Sequence, residues 1–261
     1  MKCCSAQVAA CWEDPGATLA KVAPCIRKAA AGGASLVAFP EQFATGWDPC
    51  SHRNIQEVTG QTVSALRELA CEHSIAVIGS FREAGSPLPR NTSVAIGSDG
   101  GILARYAKIH PFAPAREDTC YAPGNDLGIF ECHGLRLGIA ICYDLRFPEV
   151  FRLYAERGVH GVVVPSAWPE SRIRHWELFI RARAAENQMF VAGINTTGSN
   201  PVDTYAGCSM TAGPDGSIVT RAGRNETLLF FDLDAATVEE ARHAFPVHND
   251  RRNDLYRKLD W

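Results

Sequence analysis

No run of apolar residues in the sequence approaches the ~20 that a membrane-spanning helix needs. Net charge is also nearly absent, a formal −3 over 261 residues, so nothing argues electrostatically for nucleic acid or an anionic membrane as a partner. There is no Cys-x-x-Cys pair, although the chain carries ten cysteines. The adjacent Cys3-Cys4 and the Cys132-His133 pair lack the partner set of a zinc finger. Disulfide-dense chains are usually small and secreted, and this chain reads as neither. Any one cysteine taken blindly reads as a small hydrophobe filling the core. The first residues, "MKCCSAQVAACWEDPG", lack a long apolar signal-like stretch and are broken by Glu13, Asp14 and Pro15. They read as a first strand, with a cytoplasmic location as the expectation. Repeats, low-complexity tracts and obvious linkers are missing too.

What is present is ordinary for a soluble globular protein: 46% hydrophobic and 21% charged residues. Short apolar runs with β-branched content predict strands at 2–9, 35–39, 75–80, 92–96, 102–106, 127–131, 135–141, 160–165, 190–195, 207–211, 217–220 and 228–232. Helix-period segments fall at 15–31, 60–73, 147–157 and 173–187. Pro24 sits awkwardly inside the first of these. Alternation of the two types predicts one α/β domain over residues 1–235, with a mixed sheet or two sheets. Residues 236–261 are polar, Arg-rich and dotted with aromatics. They read as a solvated tail or as an arm packing on a partner subunit.

One stretch carries chemistry, "LRLGIAICYDLRFPEVFRLYAERG" at 135–158. An apolar strand ends in Cys142, and a helical pattern with Pro148 in its first turn follows. Ligands of open α/β sheets bind at such carboxyl edges. A helix N-terminus there favours thiolate over thiol, and the turn exposes N–H groups able to hold an oxyanion. Two other strand ends supply complementary groups, Glu41 in "SLVAFPEQFATGW" and Lys108 in "ILARYAKIHPF". Each alone reads as a solvated loop charge. Nucleophile, carboxylate and ammonium at three strand ends are harder to dismiss. No cysteine-protease signature is present, and none of the eight histidines stands out as a base.

"FPEQFATGW", "YAKIHPF" and "GIAICYDLRFPE", followed by "PSAWP", "HWELFIRARAAENQMFVAGINTTG" and "YAGCSMTAGPDGSI", resemble the carbon–nitrogen hydrolase (nitrilase) superfamily. The resemblance runs in order from about residue 2 to 232 and is nearest to the omega-amidase-like branch. It implies a four-layer αββα sandwich, pairing of two copies through helices, and neither metal nor organic cofactor. It implies Cys142 as nucleophile and Glu41 as proton carrier, with Lys108 and the backbone N–H of Tyr143 holding the oxyanion. Glu117, before "YAPGN", is implied as a support for Lys108 and substrate; a surface acid beside Arg116 and Asp118 is its bland alternative. Asp144, Arg146 and Glu149 look like residues that fix the turn. Phe43, Trp47, Tyr143 and Trp168 are candidates for an apolar wall, and Arg172 and Arg174 for holding an anionic substrate. Such relatives hydrolyse the terminal amide of 2-oxo dicarboxylic monoamides. Deaminated-glutathione-type and N-carbamoyl amidohydrolases are the nearest rival expectations. A non-catalytic scaffold, nitrile hydrolysis and a zinc or redox module rank below them. Many relatives carry Arg where this chain has Thr196.

Overall fold

The computed structural model describes residues 1–256 and 258. In chain order the first elements are β1 (Lys2–Gln7), α1 (Pro15–Ala31), β2 (Leu36–Ala38), α2 (Gln61–His73), β3 (Ala76–Glu83), β4 (Arg90–Ile96) and β5 (Ile102–Ala107). Next come α3 (Glu117–Cys120), β6 (Gly128–Cys132), β7 (Leu135–Ile139), α4 (Pro148–Glu156), β8 (Gly161–Ser166), α5 (Ile173–Asn187) and β9 (Phe190–Asn195). The last are β10 (Thr197–Ser199), β11 (Thr204–Ala206), β12 (Met210–Ala212), β13 (Ile218–Arg221), β14 (Thr227–Asp232), α6 (Ala235–Ala244) and α7 (Asn253–Tyr256).

Two six-stranded sheets form, in the orders β14-β1-β2-β3-β4-β5 and β13-β12-β9-β8-β7-β6, and β10 pairs with β11 alone. In each sheet three neighbouring strands run parallel and the outer pairings are antiparallel. Side chains alternate across a strand, and the sequence uses both faces. Leu36, Ala38, Ala76 and Ile78 join Leu137 and Ile139 in the larger core, whereas Val37, Ile75 and Val77 pack with Val22 and Ile26 of α1 and Leu66 of α2. On the far side of the second sheet, Trp176, Ile180 and Ala184 of α5 are buried. Gly193 on β9 permits that approach, since a Cβ there would lie 2.6 Å from both Trp176 and Ile180. The result is a helix–sheet–sheet–helix sandwich, the architecture expected from the sequence. Among the described residues no helix is long and apolar enough to cross a membrane.

One expected helix holds despite its internal proline, and two local differences have physical causes. Helix α1 continues through Pro24 because Asp14 caps it, accepting from Ala17 N–H at 2.9 Å, and five of its side chains are buried. That packing outweighs the ~3 kcal/mol local penalty of an internal proline. The strand expected at 207–211 is interrupted, because Gly207 and Cys208 both have positive φ, 64° and 57°. The segment expected as a tail begins as α6, which docks on this same chain. Val238 is fully buried, Gln188 Nε2 donates to the carbonyls of Ala241 and Phe245, and Arg242 donates to that of Val159. Residues 257 and 259–261 of that segment lie outside the described residues.

Candidate active site

The carboxyl ends of β2, β5 and β7 bring Glu41, Lys108 and Cys142 to one place. Glu41 follows β2 after Phe39-Pro40 and is 2% exposed. Its Oε1 lies 2.7 Å from Lys108 Nζ and accepts from Asn91 Nδ2 at 2.7 Å, while Oε2 accepts the Ala167 N–H at 3.0 Å. Lys108, also 2% exposed, reaches a second carboxylate, Glu117 Oε2, at 2.8 Å. Glu117 is fully buried and is no surface acid. Its carboxylate also accepts from Asn91 Nδ2 at 2.9 Å, Trp47 Nε1 at 3.4 Å and Phe112 N–H at 2.6 Å. A buried ammonium clasped by two carboxylates is held charged: Glu117 and Glu41 lift the Lys108 pKa above its ordinary value against the opposing effect of burial.

Cys142 opens a 3₁₀ turn, Cys142–Arg146, with φ at 44°. A non-glycine residue in the left-handed region needs its surroundings to hold it there. Asp144 supplies much of that hold. Its carboxylate accepts from Ile141 N–H at 2.9 Å, Tyr106 Oη at 2.7 Å and His110 N–H at 3.0 Å, and meets His110 Nδ1 at 2.8 Å. His110 stacks flat on Phe147, ring centres 3.6 Å apart. Tyr143 N–H heads the turn, where a helical start leaves N–H groups without intrahelical partners.

The resting thiol differs from the expectation of a thiolate. Burial, followed by the neighbouring Glu41 carboxylate, pushes the Cys142 pKa well above the usual thiol value, and Lys108 only partly offsets them. The lone turn after the strand is too short, and the site too dry, for a helix terminus to dominate. Burial also raises the Glu41 pKa, with Glu117 adding to the rise and Lys108 opposing it. A carboxylate with raised proton affinity beside a neutral thiol is suited to carry a proton out and back.

Cys142 and Lys108 form the floor of a cavity of about 250 Å³ whose walls include Trp47, Phe112, Tyr143, Trp168, Arg146 and Arg172. Arg146 lies over Trp168, 4.9 Å from the ring centre, and Arg172 over Phe112 at 5.2 Å. Arg146, expected only to brace the turn, thus faces the cavity, and Glu149 is exposed on α4. Two of the expected substrate-binding residues, Phe43 of the apolar wall and Arg174 of the anion-holding pair, are elsewhere. Phe43 stacks on Phe39 in the outer core, 5.0 Å between ring centres, because the turn after Glu41 sends it under α2. Arg174 is exposed, since helical spacing turns it away from the face that Arg172 presents. Asn91, Tyr106 and His110 carry no sequence signal for the hydrogen bonds they make here. One disulfide, Cys50–Cys120, also departs from the expectation of unpaired cysteines; folding brings the two Cα atoms, 70 residues apart in sequence, to 5.2 Å.

The profile of the carbon–nitrogen hydrolase family matches residues 3–243. The chain belongs to this family. A 2-oxoglutaramate amidase of Bacillus subtilis (strain 168) is 33% identical over 85% of this chain and 87% of its own length. An omega-amidase of Homo sapiens is 35% identical over 88% of each. Among solved structures, a carbon–nitrogen hydrolase superfamily protein from Xanthomonas campestris superposes with a TM-score of 0.89, at 28% identity and 97% coverage of both chains; it carries an arsenic adduct in its active site. A mutant of an amidase from Nesterenkonia sp. AN1, which shows Michael addition of acrylamide at the active-site cysteine, superposes with a TM-score of 0.84 at 28% identity and 99% coverage of both chains. This chain is accordingly a hydrolase of carbon–nitrogen bonds.

Proposed function

We propose that the protein is an omega-amidase that cleaves the terminal amide of a short 2-oxo dicarboxylic monoamide, such as 2-oxoglutaramate or 2-oxosuccinamate. One observation carries this beyond the family: a nucleophile–base–ammonium floor lies in a small cavity whose wall presents two guanidiniums. An amide placed at Cys142 leaves the substrate's carboxylate toward Arg146 and Arg172, where planar donors suit it. A cavity of about 250 Å³ fits a molecule of this size better than a tripeptide-like one. The relatives' names support the same choice.

The chemistry follows from the geometry. Glu41 takes the Cys142 proton as the sulfur attacks the amide carbon. Negative charge develops on the carbonyl oxygen and is stabilised by Lys108 and the Tyr143 N–H; losing one such donor costs ~10²–10³ in rate. Glu41 passes the proton to the nitrogen, ammonia departs, and a thioester remains on Cys142. Glu41 then activates the water that cleaves it. Glu117 and Asn91 keep Lys108 and Glu41 in register throughout. The enzyme works in the cytoplasm as a homodimer; Leu178 on α5 and Phe245, both exposed, support the pairing as apolar surface for a second copy.

Ammonia release from 2-oxoglutaramate, succinamate, deaminated glutathione, N-carbamoyl compounds and nitriles tests the assignment. The highest kcat/KM belongs to 2-oxoglutaramate or its four-carbon homologue. Arg146→Ala lowers it about 10- to 10²-fold, the value of a charge-assisted hydrogen bond. A preference for N-carbamoyl compounds overturns the substrate choice.

A further inference from the structure

Glu41 borders a second cavity that the chemistry above leaves unused. Its volume is about 20 Å³, room for one water molecule and far too little for a substrate. Trp47 belongs to the walls of both cavities, and the β10–β11 hairpin parts them: Val202 and Asp203 line the first, Ser199 and Asn200 the second. The outer rim of the second is made by the half-buried Ala10 and Trp12 and the exposed Ser199, away from the substrate mouth at Pro114 and Arg172. Tyr205 lies in its wall, 4% exposed, and the Tyr205 hydroxyl is buried without a hydrogen-bond partner among the described residues. A buried hydroxyl left so is costly unless water satisfies it.

Resting on the acyl-enzyme chemistry proposed above, we infer that this cavity is a water site that delivers the second nucleophile of the reaction from behind Glu41. The need for such a site is geometric. Once the thioester has formed, the acyl chain fills the substrate cavity between Trp47 and Trp168. Water arriving by the substrate mouth passes along it and meets the thioester on the side away from Glu41, whereas water from the second cavity arrives on the base's side. Hydroxylamine, a nucleophile strong enough to need no base, reacts from the mouth. Glu41 removes one proton from this water as its oxygen bonds to the thioester carbon. The tetrahedral oxyanion collapses, the carbon–sulfur bond breaks, and Glu41 returns the proton to the Cys142 sulfur. One water is consumed, one carboxylic acid leaves, and the thiol is restored.

Two variants act on the cavity without touching the floor of the substrate site. Ala10→Leu fills it from the rim; Tyr205→Phe removes the hydroxyl and keeps the ring. The measurement uses succinamate, which has no ketone to form an oxime, with hydroxylamine as a competing nucleophile that enters by the substrate mouth. The expected result is an intact initial burst of ammonia and a steady-state rate lowered about tenfold, one barrier raised by ~1.4 kcal/mol. Intact-mass analysis shows acyl-enzyme accumulating on Cys142, and the ratio of hydroxamate to free acid rises. If wild-type protein yields hydroxamate and both variants leave that ratio unchanged, the water site is overturned alone. A wild-type protein that forms no hydroxamate overturns the acyl-enzyme chemistry and the water site with it.

Discussion

Glu41 and Glu117 share the ammonium of Lys108, and this sharing governs how the rate falls in acid. Glu41 must be ionised to take a proton, so kcat/KM declines as pH drops through its pKa. Burial sets that pKa above the ordinary carboxylate value, and the Glu117 charge raises it further. Glu117→Gln therefore moves the acid limb to lower pH. It also removes one of the two anions holding Lys108, and kcat falls about 10- to 10²-fold as the oxyanion donor loosens. A pH profile of kcat/KM from pH 4 to 9 reads both effects; a lower rate with an unmoved limb contradicts the coupling. At this scale the sequence was legible where a group ends an apolar run, as Glu41, Lys108 and Cys142 do. Glu117 needed the wider resemblance, because its local context is that of a loop acid. Asn91, which hydrogen-bonds both carboxylates, sits on a strand whose apolar pattern says nothing of what lies across the sheet. Phe43 was misread for the same reason: one residue's rotation along a turn decides whether an aromatic ring faces substrate or core.

Among the elements, the short α3 is the one whose placement depends most on others. It carries Glu117 at its start and Cys120 at its end, and the Cys50–Cys120 disulfide ties it to the segment following Trp47. Both Trp47 and Glu117 contact the Lys108 ammonium or its partners, so the covalent tie lies directly outside the ion cluster. Closing a loop of 70 residues stabilises the fold by ~4 kcal/mol in the chain-entropy picture. The double variant Cys50→Ser/Cys120→Ser accordingly melts about 8 °C lower by calorimetry under non-reducing conditions. An equal melting temperature with and without a strong dithiol denies the bond that role. Reducing compartments hold such pairs as thiols, so the same two measurements report the state of the pair in protein isolated from cytoplasm. Elements of this length escape sequence reading, since four residues hold too little periodicity to register. The long helices α1 and α5, by contrast, have the bounds their apolar spacing predicts.

In the whole molecule, α6 joins the outer layer of the second sheet and does not hang free. A chain ending at Asp234 uncovers the core around Val238 and leaves the Gln188 amide without its two carbonyl partners. Burying one such side chain is worth ~1.5–3 kcal/mol, and the loss lowers the melting temperature by about 5 °C or more. On the pairing proposed above, the expected result of light scattering is the mass of two copies for the full chain and a shift toward one for the shortened chain, which lacks Phe245; an unchanged mass removes this segment from the interface. The sequence did not announce this helix, because its ten residues bury a single large side chain and otherwise look solvated. A last consequence lies in the pairing of β1 with β14, Lys2 opposite Asp232. A ribosome adding 5–20 residues per second keeps the first strand waiting roughly 10–50 s for its neighbour. Throughout synthesis the growing chain therefore exposes an unpaired strand edge, a template for misassembly that only the arrival of β14 removes.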